Sequence, residues 1–86
     1  MELLDLLGRR WAMRVIWELR DGPMTFRDLQ ARCGGISSSV LSQRLTELRE
    51  AGIAGDGNVL TPEGESLLEA YEPLGAWAKR WARRSR

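Results

Sequence analysis

The chain has 86 residues, 43 % of them hydrophobic, with four tryptophans, which is enough apolar material for one small folded domain. It holds one cysteine and no histidine, so an internal disulfide is excluded, and we expect no zinc or other metal site, no catalytic nucleophile pair, no cofactor and no enzymatic activity. Its apolar stretches are far shorter than the roughly 20 residues that cross a bilayer, so we expect a cytoplasmic protein with no membrane partner.

Residues 1–24 predict two helices. The first is short and leucine-rich and should end at Gly8; its leucines lie on more than one face, so another surface has to cover it. The second, about residues 10–20, places Trp11 and Trp17 outside its main apolar stripe. That stripe consists of Ala12, Val15, Ile16 and Leu19.

Residues 25–51 predict two further helices separated by a short turn. Thr25 is the expected N-cap of the third helix, and Gly34-Gly35 should end it. Ser37 is the expected cap of the fourth, which should run to Ala51 and stop at Gly52. The apolar residues of the fourth helix recur at helical spacing: Val40, Leu41, Leu45 and Leu48.

Residues 52–60 predict a tight hairpin, because Gly55-Asp56-Gly57-Asn58 offers positions that accept a positive φ. Thr61 and Pro62 suit the cap and first turn of a last helix, which Pro73 interrupts. Apolar residues at spacings of four and three form a seam on that helix suited to packing against another helix: Leu67, Tyr71, Leu74, Ala78 and Trp81.

This order of elements predicts a mainly α protein with a small β-hairpin, arranged as a winged helix-turn-helix in one domain, residues 1–86. Its parts would be N-terminal helices (1–24), the helix-turn-helix (25–51), a short wing (52–60) and a C-terminal dimerisation helix (61–86). The alternative is a plain helical bundle. A bundle has no need for a hairpin directly after its longest capped helix.

The helix of residues 37–51 predicts a DNA-reading surface. Burying its leucines leaves a polar side nearly free of negative charge, and we expect Glu47 and Glu50 to point away. Helix N-termini favour phosphate, Gln side chains pair with adenine edges, and an Arg in the first turn of the preceding helix can hold the DNA backbone. The predicted DNA-binding residues are Arg27, Ser37, Ser38, Ser39, Ser42, Gln43, Arg44, Thr46 and Arg49.

Four segments carry a family resemblance. They are LLGRRWAMRVIWELRDGPMTFRDLQ from Leu6, GISSSVLSQRLTELREAGI from Gly35, LTPEGESL from Leu60 and GAWAKRW from Gly75. Together they resemble the HxlR-type winged helix-turn-helix regulators, relatives of the MarR group. The resemblance implies a homodimer held by its first and last helices, with the two recognition helices in successive major grooves about 34 to 36 Å apart.

The chain also departs from that family's pattern. Its wing is short and carries Asp56 with no Arg or Lys, so we expect little minor-groove contact. Ser38 and Ser39 stand where the family often has a proline and a basic residue. Cys33 lies outside the N-terminal region where redox-sensing members carry their thiol, which favours a packing role over a redox role.

The predicted function is therefore a dimeric, sequence-specific transcription regulator whose partners are double-stranded DNA and a second copy of itself. The alternative is a winged-helix adaptor that has lost DNA binding. The four tryptophans would form the core of the dimer or, in a protein that senses an effector, line a small-molecule pocket at the dimer interface. Too many large apolar residues lie in the end helices for one domain to bury; the predicted interface is Leu3, Leu4, Leu7, Trp11, Trp17, Leu67, Tyr71, Leu74, Trp77 and Trp81.

Two basic segments stay open between two roles. Arg9 and Arg10 can hold phosphate or pair with Asp5 and neighbouring acids. Five of the 13 cations lie in the last eight residues and can hold phosphate or keep the helix end solvated; they are Lys79, Arg80, Arg83, Arg84 and Arg86.

Overall fold

The helices and strands follow the predicted order. The computed structural model describes residues 2–84, so the cation predicted at Arg86 lies outside the described residues. The elements are α1 (Leu3–Leu7), α2 (Ala12–Glu18) with a 3-10 turn (Leu19–Asp21), α3 (Phe26–Cys33), α4 (Ser38–Glu50), β1 (Ala54–Gly55), β2 (Val59–Leu60) and α5 (Pro62–Arg84). This confirms a mainly α winged helix-turn-helix with a two-stranded hairpin.

Three helices begin where a hydroxyl caps them. Thr25 Oγ1 accepts a hydrogen bond from the Asp28 N–H at 3.1 Å, and Ser37 Oγ accepts one from the Val40 N–H at 3.2 Å. Thr61 Oγ1 accepts from the Gly64 N–H at 3.1 Å. These bonds satisfy donors that a helix start leaves free, so the predicted caps of α3, α4 and α5 are confirmed.

The second helix is shorter than the expected span of residues 10–20. Trp11 precedes it with φ 76°, a left-handed conformation that a bulky residue rarely adopts, so the helix starts only at Ala12. At its other end the chain tightens into the 3-10 turn before Gly22. The predicted stripe is nevertheless buried, each member being at most 1 % exposed.

One core holds α2, α3 and α4 together with the base of the hairpin. Its fully buried side chains are Val15, Ile16, Leu19, Leu29, Leu41, Leu45 and Leu48. Leu41, Leu45 and Leu48 fix α4 against α2 and α3, because rotating α4 would bring these leucines into water. The core therefore sets which side of α4 faces outward.

The hairpin is small and closely joined to α5. Ala54 pairs with Leu60, and Gly55 pairs with Val59. The positive φ values in the turn fall at Gly57 and Asn58, whereas Gly55 is part of the strand. A Cβ at Gly64 would lie 2.2 Å from the Ile53 carbonyl oxygen, so α5 approaches the hairpin as closely as only glycine allows.

Helix α5 leaves the core after its first two turns and continues through Pro73 as one helix. Leu67 packs against the core, as do Leu7 and Trp11, so these three members of the predicted interface are partly used within the protomer. Other large apolar side chains remain exposed, and we call them the apolar surface: Leu3, Leu4, Trp17, Leu74, Trp77 and Trp81. No helix described in residues 2–84 is both long and apolar enough to span a bilayer.

Candidate nucleic-acid interface

The outer side of α4 is a polar surface that the core leaves uncovered. Its members are all exposed; Ser39, Gln43 and Thr46 lie opposite the buried leucines, and the other three lie beside them. We call this surface the recognition face; it consists of Ser38, Ser39, Ser42, Gln43, Thr46 and Arg49. The structure thus brings six of the nine predicted DNA-binding residues onto one side of one helix.

The hydrogen-bonding groups of this face are largely unused by the protein. Ser37 is occupied as the cap and lies 3.4 Å from Ser39 Oγ, and Thr46 Oγ1 donates to the Ser42 carbonyl at 3.0 Å. Within residues 2–84, the side chains of Ser42 and Gln43 form no hydrogen bond to protein groups. Their donors and acceptors are therefore available to base edges or phosphates.

Glu47 is turned away from the recognition face and neutralised. Its side chain is only 11 % exposed, and it accepts hydrogen bonds from Arg9 and, at 2.8 Å, from Arg44. Arg44 also donates Nε to the Arg10 carbonyl at 2.9 Å, and its side chain is 13 % exposed. Arg44 thus lies on the flank of α4 that contacts the α1–α2 junction, and we leave it out of the recognition face.

Glu50 does not point away as expected. It is exposed, and it follows Gln43 by seven residues, which places it on the same side of α4 two turns further along. A carboxylate there repels phosphate. The N-terminal part of α4 is therefore the part of the recognition face best suited to DNA, and Arg49 lies at the other end of the helix, next to Glu50.

Arg27 lies exposed in the first turn of α3. Among the described residues no acidic side chain pairs with it. By contrast, Arg32 on the same helix donates to Asp21 at 3.1 Å. Arg10 is also exposed and lies 5.9 Å from the Trp11 ring centroid. Arg27 therefore lies where the first helix of a helix-turn-helix crosses the DNA backbone, a position suited to a cation that contacts phosphate.

Arg49 is joined to the wing by a contact that the sequence analysis missed. Its NH2 group donates to Asn58 Oδ1 at 2.9 Å, and Asn58 Nδ2 donates to the Met24 carbonyl at 3.0 Å. The sequence marked Asn58 only as a turn residue. A positive-φ Asn is common in turns, and nothing local to it signals partners 34 and nine residues away.

Cys33 is buried at 2 % exposure in the core. Burial raises the pKa of its thiol above the ordinary 9.0, Glu18 raises it further, and Arg14 acts in the opposite direction. A thiol held in its neutral form is a poor nucleophile. This environment fits the packing role.

A groove of about 740 Å³ lies between α2 and the exposed part of α5. The residues that line it include Met13 and Trp17 of α2 and Tyr71, Gly75 and Lys79 of α5. Within the protomer, Trp17 lines this groove and Trp11, Trp77 and Trp81 do not.

The α3–turn–α4 unit, followed by a hairpin and a long helix, defines this protein as a winged helix-turn-helix protein with an exposed polar recognition helix. The model of the HxlR-like helix-turn-helix family matches residues 6–86, and the chain belongs to that family.

Relatives and solved structures agree with this membership. The regulator YodB of Bacillus subtilis is 31 % identical over 84 residues, covering 86 % of this chain and 75 % of YodB. Its quinone-bound crystal structure superposes with a TM-score of 0.82, at 34 % identity, over 90 % of this chain and 91 % of that one. A structure from Thermoplasma volcanium, described as a possible HxlR family transcriptional factor, gives a TM-score of 0.83 at 28 % identity, over 96 % of this chain and 84 % of that one.

These similarities identify the class of function. The relatives are helix-turn-helix transcription regulators, which supports a DNA-binding regulator and gives no support to the adaptor alternative.

Proposed function

We propose that this protein is a homodimeric transcription regulator that reads a specific DNA sequence by placing α4 in the major groove. The observation that carries the proposal is the recognition face: the core fixes its outward direction, and Ser42 and Gln43 keep their hydrogen-bonding groups unused. Gln43 would contact adenine edges, where a bidentate pair contributes about 1–3 kcal/mol of discrimination.

Arg27 would hold the DNA backbone while α4 reads the bases. Its guanidinium is exposed on the helix that precedes the turn, and such contacts set the register of the protein on the duplex. Each phosphate contact changes the slope of log K against log salt concentration by about 0.9. The contribution of Arg27 to DNA affinity can therefore be separated from that of the base contacts by measuring affinity at several salt concentrations.

The apolar surface supports the proposed homodimer. Leu4 is 77 % exposed, and Leu74 and Trp81 are 58 % and 57 % exposed, which is costly in water. A second copy packed along α1 and α5 would bury these side chains. The two copies of α4 would then need to lie about 34 to 36 Å apart to meet successive major grooves.

The test of DNA reading begins with genomic fragments selected by the purified protein, followed by binding measurements on one selected duplex. We expect Gln43→Ala to weaken binding by about five- to 150-fold per half-site and to lose base preference at one position. Arg27→Ala should weaken binding to all sequences and reduce the salt slope by about 0.9 per protomer.

Arg32→Ala is the matched control. It removes the same charge from the same helix, but from a guanidinium already paired with Asp21. It should leave affinity and salt slope unchanged. If Gln43→Ala and Arg27→Ala behave like this control, the proposed DNA surface is wrong.

The proposed dimer has its own test. Light scattering at micromolar concentration should give twice the protomer mass, and Leu74→Glu should give a monomer because it places a charge in the interface. Glu69→Ala, on another exposed side of α5, should remain dimeric. A monomeric wild-type protein would contradict the proposal.

A further inference from the structure

The wing of this protein is short, and its tip is attached to the body of the domain. Gly57 at the tip is three residue steps along the chain from each member of the buried base pair, Ala54 and Leu60, so at about 3.3 Å per residue the wing extends by at most about 10 Å. The Met24 N–H donates to the Gly57 carbonyl at 3.3 Å. The tip therefore rests on the segment that precedes α3.

The charge of the wing is also unsuited to contact along a DNA duplex. Asp56 is its only charged residue, and it is exposed at the turn. Arms that bind along the duplex use cations, because released counterions provide most of their affinity. An exposed carboxylate at the tip opposes such a contact.

Asn58 connects the wing to the recognition face. Its φ of 55° turns the side chain into a bridge, with Nδ2 donating to the Met24 carbonyl at 3.0 Å and Oδ1 accepting from Arg49 at 2.9 Å. The guanidinium of Arg49 has further N–H donors besides the one used here. Asn58 thus holds Arg49 in one orientation at the end of α4 and leaves it donors for a phosphate.

We infer that the wing is a brace and not a DNA arm: Asn58 is a positioning residue that orients Arg49 toward a phosphate at the edge of the major groove. The inference rests on the proposed function and deepens it, since DNA recognition is then confined to the major groove and the adjoining backbone. Holding a long side chain in place removes the entropy cost of ordering it on binding.

The positioning role is tested with Asn58→Gly, which keeps the positive φ accessible and removes only the amide. At 0.15 M salt, a phosphate contact with a slope of about 0.9 corresponds to about fivefold in affinity. We expect Asn58→Gly and Arg49→Ala each to cost up to about fivefold per protomer, with a reduced salt slope. Adding Asn58→Gly to Arg49→Ala should cause no further loss, because the two act through one contact.

The groove is tested with modified duplexes of the selected sequence. Replacing adenine by 7-deazaadenine removes the major-groove N7 acceptor, whereas 3-deazaadenine removes the minor-groove N3 acceptor. We expect the first to weaken binding and the second to leave it unchanged.

The outcomes separate the two proposals. If the purified protein selects no duplex, or if Gln43→Ala does not change binding to a selected duplex, the proposed function is refuted. Binding that depends on Gln43 but falls with 3-deazaadenine shows a wing in the minor groove and overturns the inference. An Asn58→Gly protein with unchanged affinity and salt slope overturns the positioning role, and so does additive loss in the double variant.

Discussion

Gly64→Ala should destabilise the protein although the position lies in a helix, where alanine normally gains about 0.5–1 kcal/mol over glycine. The new Cβ would meet the Ile53 carbonyl oxygen at 2.2 Å and Leu60 Cδ2 at 3.1 Å. An ordinary C···O contact is about 3.3 Å or longer, so α5 and the hairpin have to separate by about 1 Å.

The expected loss follows from what that separation disturbs. The Ile53 carbonyl accepts a hydrogen bond from the Thr61 N–H at 3.0 Å, worth about 0.5–1.5 kcal/mol net, and at 3.1 Å it shares the single Thr61 hydroxyl proton with the nearer Gly52 carbonyl. Overpacking costs about 1–3 kcal/mol more. Allowing for partial relaxation and for the helix propensity gained, we expect the free energy of unfolding to fall by about 2–4 kcal/mol.

Urea unfolding followed by far-UV circular dichroism, at one fixed protein concentration, measures this loss. Gly75→Ala is the control on the same helix. Its Cβ would lie 3.0 Å from the edge of the Tyr71 ring, a side chain that can rotate away, so it should stay within about 1 kcal/mol of wild type. A Gly64→Ala protein no less stable than Gly75→Ala would refute the reasoning.

Three further predictions concern stability. Glu47→Gln leaves two arginines without their carboxylate and should cost about 1–2 kcal/mol in urea unfolding, a difference that shrinks in about 1 M salt if the charge is responsible. Burial raises the pKa of Cys33 in the folded state, so its contribution to the free energy of unfolding is intact below pH 9.0 and should decrease as the pH rises above that value. Cys33→Ala should lack this decrease with pH. An equal decrease in both proteins would count against the prediction. Ser37→Ala removes the α4 cap and should cost about 1 kcal/mol, whereas the neighbouring Ser38→Ala should stay within about 0.5 kcal/mol; equal losses would show that the cap contributes nothing.

Local signals predicted the elements well. The hydroxyls at Thr25, Ser37 and Thr61 cap the helices that the sequence assigned to them, since capping depends only on residues within one turn. The buried side of α4 followed from its periodicity for the same reason. The departure at Trp11 was not predicted because a positive φ is rare for a tryptophan, so the residue type gave no signal of a break before Ala12.

The candidate site was harder to predict, because residues on the flanks of a helix depend on what lies beside it. Arg44 and Gln43 are neighbouring polar residues, yet Arg44 is held by the Arg10 carbonyl and Glu47, while Gln43 stays exposed. The contact of Asn58 with Arg49 joins two elements whose distance the sequence does not give. Helical periodicity alone could not separate these cases.

The placement of the tryptophans determines what their emission can report. None of the four belongs to the fully buried core, and Trp17, Trp77 and Trp81 are 38 %, 53 % and 57 % exposed. In the proposed dimer, the fluorescence of Trp17, Trp77 and Trp81 should therefore change when the subunits associate or dissociate, whereas Trp11, which packs against the core, should respond to unfolding. A dilution series monitored by emission wavelength would follow assembly without any attached dye.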